Sequence, residues 1–207
     1  MSERNTALRS LHDIGLAAWF GGSLMGAIGL NGAAKKTGDD EMSTARIASA
    51  GWAAWTPVNA AAIGAHLVGG AGLLGANSAR VAYQQGVGAS TVAKLALTGA
   101  ALAATAYTRV VGKKVELASS LDPRDAETAA EHPIELEQAQ RQLVLLQWAV
   151  PALTAGLLVL NALHGEQQRP EQQHLGMMRR AATAGGTGLA AVRRAREHGM
   201  AGRHCEA

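Results

Sequence analysis

The sequence predicts an all-α fold, an integral-membrane up-down four-helix bundle, and three observations predict it. Charge is segregated: only 17% of the 207 residues are charged, and four long blocks are almost free of it. Those blocks are filled by glycine and alanine rather than large aliphatics, so helices that pack there must meet through small side chains. Within each block, polar or small residues recur at alternating steps of three and four, the period of one helix face.

The first block runs from Ile14 to Ala34 without a charge. As a helix it is about 31 Å long, close to the thickness of the hydrocarbon core of a bilayer. His12, Gly15, Trp19, Gly22, Gly26 and Gly29 share one of its faces. The block follows Arg4 and Arg9, as a signal peptide would, but it is too long for that, and three more apolar blocks follow. The second span is expected at about 55–77, after an interfacial lead-in, with Pro57 in the first turn, where proline is tolerated. The third, at about 90–111, contains Lys94 and Arg109, which must snorkel to the interfaces. The fourth is expected at about 142–165 with a kink at Pro151. Pro133 followed by Glu135 and Glu137 starts its helix outside the membrane.

This divides the chain into a four-helix transmembrane domain, 1–165, and a basic tail, 166–207. The tail carries seven arginines against four acidic residues and is expected to be partly disordered or an interfacial helix on anionic lipid. Nucleic acid is not expected as a partner, because no aromatic platform accompanies these arginines. The lipid bilayer is the expected partner, with other membrane-protein subunits beside it. Basic residues near the membrane are nearly equal on the two sides and do not set orientation. The basic tail does favour cytoplasmic termini, in what is expected to be a bacterial inner (plasma) membrane.

The remaining spans continue the pattern. In the second, Trp52, Trp55, Asn59, Ala62, His66, Gly69, Leu73 and Ala76 share a face; in the third, Lys94, Thr98, Ala101, Thr105 and Thr108; in the fourth, Gln147, Val150, Thr154, Leu157, Asn161 and His164. Polar groups are costly against lipid, so these faces should turn inward and form a polar seam. Trp52, Trp55 and Trp148 read as interfacial anchors.

Depth along the helices then separates the histidines. With neighbouring spans antiparallel, His66 lies near mid-span, about ten residues or roughly 15 Å from the level of His12. The expectation is that these two share no ligand, that His66 faces Gly22 and Gly26 with Thr98, Thr105 and Thr154 nearby, and that His12 shares an interfacial layer with His164. The plainer role for His66 is a hydrogen bond to a threonine or a carbonyl of a neighbouring helix.

His12, then six residues, then Trp19-Phe20-Gly21-Gly22 resembles the opening of the first span in small four-helix membrane families. These include the copper-resistance D-like proteins and the bacterial membrane protoporphyrinogen oxidase, a haem protein. That resemblance implies an all-helical bundle with His12 in the position of a haem or copper ligand. The residues themselves assign no metal site, since no Met-x-x-Met or His-x-His cluster is present. Phosphate-loop, His-Glu-x-x-His and Gly-x-Ser-x-Gly motifs are also absent.

The function expected first is therefore a non-enzymatic structural or accessory subunit of a membrane complex. The alternative is a haem- or small-molecule-binding bundle whose site lies on the seam, with His66, His12 and His164 as the candidate cofactor-binding residues. A small transporter ranks third, because the seam has no carboxylate to couple ions.

Overall fold

In a computed structural model, residues 5–76, 78 and 87–167 are described, with side chains omitted at Val87 and at 164–167. The basic tail and its expected interfacial helix lie outside these residues. The chain divides into two units, 1–160 and 161–207. Within the described part of the second unit, 161–167 form only the end of a long helix.

Every element among the described residues is helical. Helix α1 spans Thr6–Thr37, α2 Glu41–Ala76, α3 Val87–Ser119, α4 Pro123–Glu131 and α5 Leu136–Gln167. All but α4 are long and apolar enough to cross a membrane. At 32 residues α1 is about 48 Å long, more than a hydrocarbon core needs. The short α4 has no buried residue. It starts on Pro123, with the Asp122 carboxylate accepting from the Arg124 N–H at 2.9 Å.

The helices overrun the blocks read from hydropathy, and one overrun sets the register of the first hairpin. Residues 35–37 and 41–46, expected in a connector, are helical, leaving only Gly38-Asp39-Asp40 as the turn. Asp40 caps α2: its carboxylate accepts from the Ser43 N–H at 2.6 Å, and its own N–H donates to Ser43 Oγ at 3.0 Å. Because the turn is so short, Gly26 packs on Trp52 and Gly69 on the backbone of His12. This pairing is about ten residues away from the one hydropathy suggests. Pro57, expected in a first turn, instead lies in the interior of α2.

Helix α1 is not a uniform α-helix. Residues Gly26–Leu30 form a π-turn, in which the Asn31 N–H donates to the Gly26 carbonyl. A π-turn inserts one residue and rotates everything after it. The inward stripe His12, Gly15, Trp19, Gly22, Gly26 therefore does not continue to Gly29, which is exposed. Leu30 meets Gly51, and Ala34 is fully buried.

Two apolar clusters pack the helices at two levels. One joins Leu16, Trp19, Ala62, Ala101, Val150 and Leu157. The other joins Ala45, Val111, Val115 and Ala139, nearer the hairpin turn. The inner faces expected of α2, α3 and α5 are at least partly buried at nearly every described position, while large apolar side chains are exposed on the outside, among them Ile14 (68%) and Val92 (66%).

Candidate functional site

The first polar assembly is a pair of histidines. His12 and His66, expected roughly 15 Å apart, are stacked with ring centroids 4.0 Å apart and planes 20° apart. The short hairpin turn produces this level. Each imidazole bonds the other's main chain: His12 Nδ1 to the His66 carbonyl at 2.9 Å, and His66 Nδ1 to the His12 carbonyl at 3.1 Å. A carbonyl can only accept, so both Nδ1 atoms carry a proton, and in a neutral ring that leaves the lone pair on Nε2. His66 is almost fully buried and its ring meets Trp19 edge-on. Trp19 in turn donates its indole N–H to Thr105 Oγ1 at 3.2 Å.

The backbones close tightly on either side of this pair. A Cβ at Gly15 would lie 2.5 Å from the Ala62 carbonyl oxygen and the His66 nitrogen, and one at Gly69 would lie 2.5 Å from the His12 nitrogen. Only glycine fits there. The predicted hydrogen bond from His66 to a neighbouring carbonyl is present. Thr154 bonds its own helix at Val150 instead. His164 is on the last turns of α5, in the second unit, and its side chain lies outside the described residues.

The second assembly lies between the two apolar clusters. Gly22 and Gly26, expected opposite His66, instead seat the indoles of Trp55 and Trp52. These two tryptophans, read as interfacial anchors, are half-buried and line a cavity of about 360 Å³. Ser23, Asn31, Asn59, Thr105 and Gln147 also line it, and Lys35, Arg109 and Glu116 lie along its wall toward the hairpin turn. A relay crosses the wall: Trp52 Nε1 donates to Asn31 Oδ1 at 3.0 Å, and Asn31 Nδ2 donates to Gln147 Oε1 at 2.6 Å. The Arg109 guanidinium and Lys113 ammonium both bond Glu116, at 3.2 and 2.7 Å.

Two of the lining residues, Trp55 and Asn59, also bury a polar atom away from the lumen. Trp55 Nε1 and Asn59 Oδ1 are buried and have no hydrogen-bond partner among the described residues. One is a donor and the other an acceptor, and they are one helical turn apart. Leaving each unmade costs about 1–3 kcal/mol.

No group of three or more His, Cys, Asp or Glu that could hold a metal ion occurs among the described residues. Asn31 was missed in the sequence because it falls off the three-four stripe; only the π-turn brings it inward. Its one available signal was being the lone amide in an otherwise apolar run.

No family model, no curated protein sequence and no solved structure matches the chain. The fold and site thus define a class only: among the described residues, an all-helical protein with four membrane-length helices, a histidine-clamped hairpin and a seam cavity.

Proposed function

We propose that this chain is an integral membrane protein that crosses the bilayer four times, up and down, and holds a small apolar molecule in its seam. The cavity carries the ligand reading: at about 360 Å³ it is within the range of small-molecule sites, and its walls mix apolar surface with a few convergent polar groups. Membrane residence is supported by the pattern of burial. Ser23, His66 and Thr154 are buried while Ile14, Met25 and Val92 are exposed, as the bilayer demands of a solvent-inverted protein.

The cavity test is Ala48→Phe, which fills the lumen from α2. Mass spectrometry of the detergent-purified full chain should show a co-purifying molecule that this variant loses. A variant that gains stability and displaces nothing would make the cavity a packing void. The proposed cytoplasmic termini have their own test in Cys205, the one cysteine of the chain. A membrane-impermeant maleimide should label it in inverted vesicles and not in intact cells.

Haem is a second reading, favoured by the half-buried His12, whose Nδ1 donates to the His66 carbonyl and leaves Nε2 to ligate when the ring is neutral. Nδ1 bonded to a carbonyl is the usual support for a metal-ligating histidine. A Soret band lost in His12→Ala or His66→Ala would establish it, and a colourless protein would end it. An accessory role beside other subunits is favoured by Gly21, Gly64 and Gly99, which face open space on three different helices and permit close approach of partner helices. Crosslinking of the chain within its native membrane should trap that partner, and a chain trapped only alone would remove the accessory role.

A further inference from the structure

Resting on the cavity reading, we propose that the apolar molecule of the seam ends in a carboxylate. It is a single-chain fatty acid whose head lies at the hairpin-turn end, where Lys35 and Arg109 line the wall. Its chain runs inward past Trp52 and Trp55. The lumen has the shape for one chain. Its lining follows α2 from Thr44 to Ile63, about 28 Å of helix, and α3 from Thr105 to Glu116, about 16 Å. A volume of about 360 Å³ drawn out over that length is at the low end of small-molecule sites and leaves no room for a two-chain lipid.

Polarity is graded along the lumen. Its charged lining residues, Lys35, Arg109 and Glu116, belong to the hairpin-turn end, while Ser23, Ile63 and Val150 line the other. A charged head is therefore confined to the first end, since elsewhere it would be buried unpaired. The sign follows from the pairing there. Glu116 is already bonded by both Arg109 and Lys113, so no lining carboxylate is left for a cationic head. Arg109 spends only Nη1 on that bond and keeps further donors in its fork. Lys35 is exposed and makes no ion pair among the described residues. The three charged lining residues thus leave one positive charge over, which a carboxylate balances. A phosphate monoester would bring about −1.5 to −2 and exceed it.

The experiment uses the full chain, stripped of lipid in a non-ionic detergent and titrated with dodecanoate and with dodecan-1-ol. Binding is read from tryptophan emission at about pH 9, where the carboxylate is ionised, and is corrected for partition into empty micelles. The acid should bind about tenfold more tightly than the alcohol, the scale of a charge-assisted hydrogen bond. Lys35→Gln and Arg109→Gln should each cut that preference about threefold, and Lys35→Glu should abolish it. Retained affinity for the alcohol shows that these variants keep the lumen. Should they lose the alcohol as well, added salt decides on the unaltered chain, where screening should shrink the preference for the acid. Equal binding of acid and alcohol, a preference that neither Lys35→Glu nor salt reduces, or tighter binding of dodecyl phosphate would each overturn the carboxylate assignment. If Ala48→Phe still abolishes binding of the alcohol in that case, the cavity reading survives without it. A lumen that binds neither probe ends both.

Discussion

The two halves of the α1–α2 hairpin use the same residue type for opposite ends. Around His12 and His66, glycines bring backbone against backbone: the atoms that crowd a Cβ at Gly15 or Gly69 are mainly main-chain nitrogen, carbon and oxygen. Around Trp52 and Trp55, the atoms that crowd Gly26 and Gly22 belong to indole rings. The first half is closed and has nowhere to yield. The second has been wedged by two large side chains, and a cavity lies beside them. A glycine stripe thus specifies close approach, but what approaches depends on the opposite helix.

The sharpest way to break this comparison is Gly15→Leu, which must force the helices apart and should cost about 3 kcal/mol or more. Gly21→Leu, where nothing lies within 4 Å, should cost close to nothing. Unfolding in mixed micelles measures both, and equal losses would remove the distinction between the packed and the open face. Next comes the histidine pair. His66→Ala should cost about 2 kcal/mol, and the cycle with His12→Ala should show a coupling of about 1–2 kcal/mol. Additive losses would mean that the reciprocal bonds do not act as a unit.

Smaller effects are expected in the wedged half. Trp52→Phe leaves Asn31 Oδ1 without its donor and should cost about 1 kcal/mol, without altering the His12–His66 coupling. A change in that coupling would show that the halves are not independent. The smallest effect belongs to the turn that sets the register. The Ser43 N–H and hydroxyl hold the Asp40 carboxyl below its usual range. A depressed folded-state pKa contributes stability that is present above the unfolded value of about 3.9 and is lost as pH falls through the folded value. Asp40→Asn should therefore flatten the acid limb of the stability profile below about pH 4, and an unchanged limb would exclude the cap as its source.

Much of the architecture was legible. Four helices, the inward faces of α2, α3 and α5, and the helix start after Pro133 all follow from charge segregation and a 3.6-residue period. The level of His66 was not legible, because hydropathy marks where a chain is apolar and not where its helix ends. Residues 41–46, with the charged Glu41 and Arg46 among them, already belong to α2, and the turn is only three residues long, which moves every cross-helix pair. Trp52 and Trp55 are on the inward face that the spacing gives, while residue type alone points to interfacial anchors. Asn31 was hidden because a π-turn has no periodic signature.

By itself, then, the sequence determined the helices and their buried faces, since both depend on the local spacing of small, polar and apolar side chains. The tertiary structure alone decided which residues meet. The three-residue turn fixed the level at which two histidines clamp one another, and one inserted residue in α1 turned Asn31 toward the cavity. Both are shifts of a few residues in register, which local patterning does not encode and which only packing against the opposite helix selects.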